Sequence, residues 1–122
     1  MSLLIVDDSE ILRRRLKEAL YQIRPDLVSY ESSSGEEALR ELNDKLHDIV
    51  ILDISLPGIS GIEILKEIKL SAPQTRVIIF TSYPSSEFRE QCIALGADYF
   101  FDKCKDYRNM LELFRRNFQD KK

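Results

Sequence analysis

Short apolar runs alternate with longer segments of mixed polarity along this chain. The runs cover residues 3–6, 27–31, 48–52, 76–80 and 98–101, and their length and apolar character predict strands. The third run is almost entirely apolar, which is typical of a central strand that is buried on both faces. The second run mixes polar and apolar side chains, which indicates a strand at the edge of the sheet.

The segments between the runs carry apolar residues every three or four positions, which predicts amphipathic helices. Ser9 is expected to cap the first helix, Pro25 to end it, and Gly96 to end the fourth. The predicted apolar faces are Leu12, Leu16, Ala19, Leu20 and Ile23; Ala38, Leu39, Leu42 and Leu46; Ile62, Leu65 and Ile68; Phe88, Cys92 and Leu95; and Tyr107, Leu111, Phe114 and Phe118. Five strand–helix units predict an α/β fold, a doubly wound parallel sheet with helices on both faces.

The 122 residues are predicted to form one domain, which covers residues 1–122. The formal net charge is −3 and there is no lysine-arginine tail, so direct nucleic-acid binding is not expected. Arg13-Arg14-Arg15 lies within a helical pattern and is predicted to be a solvated face. Two cysteines, far apart, exclude a disulfide scaffold, and no signal peptide or membrane-spanning stretch is evident, so we expect a cytoplasmic protein without membrane contact.

Polar residues follow four of the runs at the point where each run ends. They are Asp7-Asp8, Asp53, Thr81-Ser82 and Lys103. Because the carboxyl ends of parallel strands meet at one edge of a sheet, these side chains should converge there. Two carboxylates about 4 Å apart repel each other by about 1 kcal/mol in water and about 4 kcal/mol near a protein surface. The acids therefore predict a divalent cation and an accompanying anion.

The candidate site residues belong to a longer set of motifs in a fixed order. The set is Ile5-Val6-Asp7-Asp8-Ser9, Leu52-Asp53, Leu56-Pro57-Gly58, Gly61, Thr81-Ser82, Gly96-Ala97 and Lys103. With these motifs the chain resembles the receiver domain of bacterial two-component response regulators over essentially its whole length. The resemblance implies a flavodoxin-like (βα)5 fold with strand order 2-1-3-4-5, and no effector domain is expected in this chain.

The resemblance also implies a phosphoacceptor role in a phosphorelay. Asp53 would accept a phosphoryl group from a sensor histidine kinase or a histidine phosphotransfer protein, since a carboxylate can form an acyl phosphate. Thr81 and Lys103 would each contact one oxygen of that group, because phosphoryl transfer requires mainly positioning and charge neutralisation. Such a domain is not an enzyme with a separate substrate; it catalyses only its own phosphorylation and dephosphorylation.

The same site is expected to bind Mg²⁺, with Mn²⁺ as a possible substitute. Hard divalent cations prefer carboxylate, carbonyl and water oxygens and often share them with phosphate. Asp8 and Asp53 would supply two direct ligands and the backbone carbonyl of Ser55 a third. Asp7 would act through a water molecule.

Phosphorylation is expected to act as a switch on a surface made of the fourth helix, the fifth strand and the fifth helix. By resemblance, Thr81 moves toward the phosphoryl group and Phe100 turns inward into the space that this leaves. The competing interpretation is that Phe100 is an ordinary core residue. A downstream protein or effector domain would read the surface, and the protein would be a monomer or a weak, phosphorylation-dependent dimer.

Each site residue also has a simpler interpretation. Asp7 could favour a helix N-terminus, Asp53 could cap a loop, Thr81 could be a turn residue and Lys103 could be a solvated lysine. Their joint occurrence at strand ends favours the site. The rival functions are a phosphorylation-independent interaction module, a haloacid-dehalogenase-type phosphatase and a flavin binder. The phosphatase chemistry requires an acid where this chain has Ser55.

The chain departs from the family pattern directly after Lys103. The family usually has proline there, with a cis peptide, and this chain has Cys104. A cis bond before a residue other than proline costs about 3 kcal/mol. The sequence therefore leaves the conformation of this peptide, and the pose of Lys103, open.

Overall fold

The computed structural model describes residues 1–118, which form strands and helices in strict alternation. The strands are β1 (Ser2–Val6), β2 (Val28–Ser32), β3 (Ile49–Leu52), β4 (Arg76–Thr81) and β5 (Tyr99–Asp102). All neighbouring strands pair in parallel, in the order β2-β1-β3-β4-β5. The predicted α/β fold and its strand order are therefore confirmed.

The helices are α1 (Glu10–Ile23), α2 (Gly35–Asp44), α3 (Gly61–Ser71), α4 (Ser86–Ala94) and α5 (Tyr107–Arg116). The first four begin after a serine whose side chain accepts a hydrogen bond from a backbone N–H in the first turn. These serines are Ser9, Ser34, Ser60 and Ser85. None of the helices in residues 1–118 is both long and apolar enough to cross a bilayer.

The sheet separates the core into two layers. Alternate strand residues point to opposite faces, and both faces are covered by helices, so β3 and the central positions of β1 and β4 are apolar. One layer lies under α1 and α5 and includes Leu16, Leu20, Phe80 and Phe114. The other lies under α2, α3 and α4 and includes Ala38, Leu65, Cys92 and Phe100. Burial of each large aliphatic or aromatic side chain contributes roughly 1.5–3 kcal/mol.

Several predicted boundaries were wrong by one residue, and the reasons are visible in the hydrogen bonds. The backbone N–H of Leu27 donates to the carbonyl of Arg24, so Leu27 belongs to the turn before β2. Asp48 and Asp98 directly precede their strands, and their carboxylates accept backbone N–H groups, from Ser2 and Val77 respectively, at 2.8 Å.

Two residues of the predicted helix faces lie outside the helices. Leu46 follows the end of α2 and is 63% exposed, so its assignment to the buried face was wrong. Phe118 follows α5 with a φ of 57°, yet its ring packs edge-on against Phe114 at a centroid distance of 5.2 Å. Both residues follow the helical period in sequence, but the helix ends before it reaches them.

The carboxyl ends of β1, β3, β4 and β5 lie along one edge of the sheet. The strand order reverses between β1 and β3, where the chain leaves β1 toward β2 and returns to β3 on the other side. In open α/β sheets, ligands bind beyond the carboxyl ends at such a reversal. Asp7-Asp8 and Asp53 directly follow these two strands.

Candidate functional site

Three carboxylates meet where β1 and β3 end. One carboxylate oxygen from each of Asp7, Asp8 and Asp53 lies within 4.8 Å of the others. The hydrogen-bonding ladder extends one residue past both strands, since the Asp7 N–H donates to Ser32 and the Asp53 N–H donates to Val6, both at 3.1 Å. Asp7 and Asp53 are buried, whereas Asp8 is exposed. The predicted convergence of the acids is therefore present in the structure.

Lys103 brings a positive charge to two of these acids. Its Nζ lies 2.6 Å from Asp7 Oδ2 and 2.9 Å from Asp53 Oδ2, and its side chain is 16% exposed. Its backbone N–H donates to the carbonyl of Thr81 at 2.9 Å, which fixes the turn after β5 to the end of β4. All peptide bonds among residues 1–118 are trans, including the one between Lys103 and Cys104. The peptide conformation that the sequence left open is therefore trans, and the ammonium of Lys103 points at Asp7 and Asp53.

Burial and ion pairing shift the pKa values of this pair. Burial raises the pKa of Asp7 above its usual range, although hydrogen bonds from Lys103 and from the Ser9 N–H oppose this. Burial also acts against the charged form of Lys103, but the hydrogen bonds to Asp7 and Asp53 outweigh it and raise the pKa of this amine. Lys103 therefore stays protonated at neutral pH.

The donor set fits a hard divalent cation. Three carboxylates within 4.8 Å of one another offer only oxygen ligands, and one of the three is exposed to incoming ions. With all three acids ionised, the single ammonium of Lys103 leaves the cluster negative. Mg²⁺ binds through one or two carboxylates, with water and phosphate oxygens completing its octahedron. The residues present are those that such a site requires.

The loop after β3 holds Asp53 in place. Asp53 Oδ1 accepts the backbone N–H of Ser55 at 3.2 Å, so the exposed Ser55 stays beside the carboxylate. Gly61 opens α3 and donates its N–H to Ile54 at 2.9 Å. A Cβ on Gly61 would lie 2.0 Å from the carbonyl oxygen of Asp53. Only glycine permits this approach of helix and loop.

Thr81 ends β4, and its side chain is completely buried. Its Oγ1 accepts the backbone N–H of Tyr83 at 3.2 Å, which leaves the hydroxyl proton as a donor. Thr81 lies opposite Asp102 in the ladder and is joined to Lys103 by the backbone hydrogen bond. The structure therefore places Thr81 beside the lysine on the sheet edge.

Phe100 lies farther from the site, opposite Ile79 in the β4–β5 ladder. It is 7% exposed and packs in the layer that α4 covers. The guanidinium of Arg89 in α4 lies 5.7 Å from the centre of its ring, and Arg89 also donates to its carbonyl at 3.4 Å. The structure shows the inward position of this ring, and movement between two positions stays a prediction.

Sequence reasoning missed Arg13. The Arg13-Arg14-Arg15 segment was predicted to be solvated, and Arg14 is, with a side chain 67% exposed. The Arg13 side chain is 13% exposed and donates to the backbone carbonyl of Asp7 at 2.6 Å and to Glu31 Oε1 at 2.8 Å. Arg13 precedes Leu16 by three positions and Leu20 by seven, so the helical period places it on the buried stripe. That period was the signal that could have identified it.

Comparisons with known proteins agree with the geometry. A family model described as a response regulator receiver domain matches residues 3–115. The transcriptional activator protein ExaE of Pseudomonas putida is 35% identical over 116 residues, which cover 95% of this chain and 54% of ExaE. The response regulator UvrY of Escherichia coli is 29% identical over 103 residues, which cover 84% of this chain and 47% of UvrY. The chain thus spans about half the length of these relatives.

Solved structures share the fold. The response regulator TrrA of Thermotoga maritima, solved in complex with Mg²⁺-BeF, superposes with a TM-score of 0.78 at 33% identity, covering 91% of this chain and 93% of TrrA. A CheY-like receiver domain protein from Methanospirillum hungatei superposes with a TM-score of 0.83 at 26% identity, covering 91% of this chain and 87% of that protein.

Proposed function

Since this chain belongs to the response regulator receiver domain family, we propose that it accepts a phosphoryl group on Asp53 in a two-component phosphorelay. The observation that supports this most strongly is the meeting of Asp7, Asp8 and Asp53 with the ammonium of Lys103 at the carboxyl edge of the sheet. The donor would be a sensor histidine kinase or a histidine phosphotransfer protein. The protein would be a signalling domain that catalyses only its own phosphorylation and dephosphorylation.

The chain's own residues would position the transferred group. A carboxylate oxygen of Asp53 attacks phosphorus, so an O–P bond forms as the N–P bond to the donor's histidine breaks. Lys103, already 2.9 Å from Asp53 Oδ2, would contact one phosphoryl oxygen. The hydroxyl of Thr81, at the end of the neighbouring strand, would donate to another. Preorganised donors of this kind act where negative charge develops in the transition state.

The acids are proposed to hold Mg²⁺, with Mn²⁺ as a substitute. Asp8, Asp53 and the backbone carbonyl of Ser55 would be direct ligands, and Asp7 would act through water. When bound, the cation would neutralise a further phosphoryl oxygen. Without it, the incoming anion meets three carboxylates, and the ammonium of Lys103 is already shared between Asp7 and Asp53. The carboxylates therefore disfavour phosphate until a cation is present.

The switch surface is proposed to consist of α4, β5 and α5. Phosphorylation adds nearly two negative charges and three acceptors beside Thr81. Thr81 and Ile79 lie on the same face of β4, and Phe100 lies opposite Ile79. A shift of Thr81 would therefore change the packing around the Phe100 ring. Among the residues of α4, only Cys92 is buried, so this helix has the fewest buried residues of the five.

The switch is tested by NMR. Mg²⁺ with beryllofluoride should shift amide NMR signals across residues 82–110; shifts confined to the Asp53 loop would contradict the switch.

The wider context follows from the family. We propose that residues 1–122 act as a receiver domain in the cytoplasm, read by a downstream protein or effector domain, without direct contact to nucleic acid or membrane. The state in solution would be a monomer or a weak dimer that forms on phosphorylation. The presence of the acids, threonine and lysine together argues against a phosphorylation-independent module, since binding alone would not require them.

The phosphoacceptor is identified by trapping. After incubation with Mg²⁺ and a phosphoryl donor, borohydride reduces an acyl phosphate of aspartate to homoserine, which peptide mapping locates. We expect homoserine at position 53 only. Asp48 is the matched control, because it is an aspartate at the opposite edge of the sheet, where it accepts the N–H of Ser2. Reduction at another aspartate, or at none, would refute the assignment.

A further inference from the structure

Arg13 links the loop that carries two of the acids to the edge strand of the sheet. Its Nη1 donates to the backbone carbonyl of Asp7 at 2.6 Å, and its Nε donates to Glu31 Oε1 at 2.8 Å. Arg13 belongs to α1 and Glu31 to β2. One guanidinium therefore spans three elements: the first helix, the edge strand and the loop between β1 and α1.

Glu31 orients that guanidinium. It lies opposite Ile5 in the β1–β2 ladder, and its second carboxylate oxygen accepts from Lys17 at 3.0 Å. Burial acts to raise the pKa of Glu31, but the hydrogen bonds from Arg13 and Lys17 outweigh it and lower this pKa below its usual value. The carboxylate is therefore ionised at neutral pH and offers Arg13 a fixed anion.

The carbonyl that Arg13 contacts lies in the peptide that joins Asp7 to Asp8. This peptide joins the two residues that carry the carboxylates, and its orientation sets both the ψ of Asp7 and the φ of Asp8. The N–H of Asp7 is already held by Ser32 at 3.1 Å, and the carbonyl is held by Arg13. Asp8 itself is exposed, so its backbone, more than side-chain packing, limits where its carboxylate can lie.

We propose that Arg13 is a positioning residue for the divalent-cation site. Its guanidinium, oriented by Glu31, fixes the Asp7–Asp8 peptide so that both carboxylates face the same cation. The proposal rests on the proposed function, which assigns a cation to these acids. Arg13 has no direct contact with the cation or the phosphoryl group in this role.

The charge of Arg13 and its positioning role predict opposite effects on cation affinity when the side chain is removed. A cationic side chain near a cation site weakens metal binding by repulsion, so its removal should tighten binding. A side chain that orders the ligands strengthens binding, so its removal should weaken it. The guanidinium donates directly to the peptide that joins the two ligands, at 2.6 Å, so we expect the positioning effect to prevail over repulsion.

The test measures Mn²⁺ binding to the unphosphorylated chain from the EPR signal of the free ion. We expect Arg13→Met to raise the dissociation constant about tenfold, as is usual for residues that orient metal ligands. Arg14→Met is the matched control, because Arg14 is the adjacent residue and its exposed side chain pairs with Glu10 across 3.7 Å at the surface. It should stay within about twofold of the wild type, as expected for a surface pair.

Two further variants separate position from charge and from loss of folding. Arg13→Lys keeps the charge but not the planar fork that reaches two acceptors, so binding should stay weakened. Glu31→Gln keeps an acceptor oxygen for Nε, so binding should remain close to that of the wild type. Thermal unfolding without metal, followed by circular dichroism, establishes that each variant is folded. If Arg13→Met does not fold, the Arg13→Lys and Glu31→Gln variants still test the proposal.

Each outcome decides between the possibilities. Unchanged or tighter Mn²⁺ binding in folded Arg13→Met, or wild-type affinity in Arg13→Lys, would overturn the positioning role. A wild-type protein that does not bind Mn²⁺ would refute the proposed cation site itself, and this result is distinct from a failure at Arg13 alone. Weakened binding in both Arg13 variants, with wild-type behaviour in Arg14→Met and Glu31→Gln, would support the proposal.

Discussion

Lys103 and Asp7 form an ion pair across 2.6 Å although they follow strands at different positions in the sheet. Asp7 comes after β1 and Lys103 after β5, and β3 and β4 lie between those strands. The lysine reaches over the edge of the sheet and also contacts Asp53, the residue proposed to be phosphorylated. The same ammonium therefore pairs with both acids before phosphorylation, and on our proposal it would contact the phosphoryl group after it.

Replacement of Lys103 by methionine should destabilise the metal-free protein. The buried carboxylates of Asp7 and Asp53 would lose their partner, and removal of one member of a buried ion pair typically costs about 3 kcal/mol. Urea unfolding at neutral pH measures this loss, and Mg²⁺ should restore part of it. Lys105→Met is the control, since Lys105 is exposed in the same turn. Equal stability of the two variants would show that the ion pair contributes nothing.

Removal of the Thr81 hydroxyl should lower the rate of phosphorylation, with a smaller effect on the stability of the fold. Loss of one donor to a developing anion typically lowers the rate roughly a hundredfold. Thr81→Ala should therefore be slow with acetyl phosphate, whereas Thr81→Ser, which keeps the hydroxyl, should remain within several-fold of the wild type. Ser82→Ala, at the exposed neighbouring position, serves as the control. A Thr81→Ala variant as fast as the wild type would remove Thr81 from the site.

Gly61→Ala should disrupt the loop that carries Asp53. The new Cβ would lie 2.0 Å from the Asp53 carbonyl oxygen and 2.7 Å from the Cα of Ile54, so the backbone must shift. We expect a loss of about 2 kcal/mol in the free energy of unfolding, as for other overpacked sites, and a lower rate of phosphorylation. Ser71→Ala, at the exposed far end of the same helix, should change stability by less than about 0.5 kcal/mol. Wild-type stability in Gly61→Ala would contradict the close packing.

The contribution of Glu31 to stability should depend on pH. Its pKa in the folded protein is lowered from the ordinary value of 4.5, so the stabilisation is present above that value and is lost as the pH falls through the lowered pKa. Wild type should be more stable than Glu31→Gln at neutral pH, and the difference should shrink in acid. Chemical unfolding across a pH series measures this difference. A difference that stays constant or grows toward low pH would contradict the pairing with Arg13 and Lys17.

Much of the site could be predicted from the sequence because its residues follow the strands directly. An apolar run that ends on a carboxylate fixes both the burial of the strand and the position of the acid, as at Asp7 and Asp53. Parallel pairing then places these ends together, whatever the details of the helices. The strand order itself came from the resemblance to a known family, since no local pattern encodes which strands are neighbours.

The contacts that the sequence did not yield depend on how the elements dock. Arg13 contacts Asp7 and Glu31 together because α1 docks where β2 presents Glu31. Likewise, the helical period continues to Leu46 and Phe118, but the hydrogen bonds that end α2 and α5 lie before them. Periodicity predicts which face of a helix is apolar. It does not predict where the helix ends or which polar groups of the neighbouring elements the helix contacts.

Phosphorylation of Asp53 is tested most directly by the intact mass of the protein after incubation with acetyl phosphate. We expect one phosphoryl group per chain in the presence of Mg²⁺, none when the cation is removed by chelation, and none in Asp53→Asn under either condition. An adduct that persists in Asp53→Asn, or that forms equally well without a divalent cation, would contradict it.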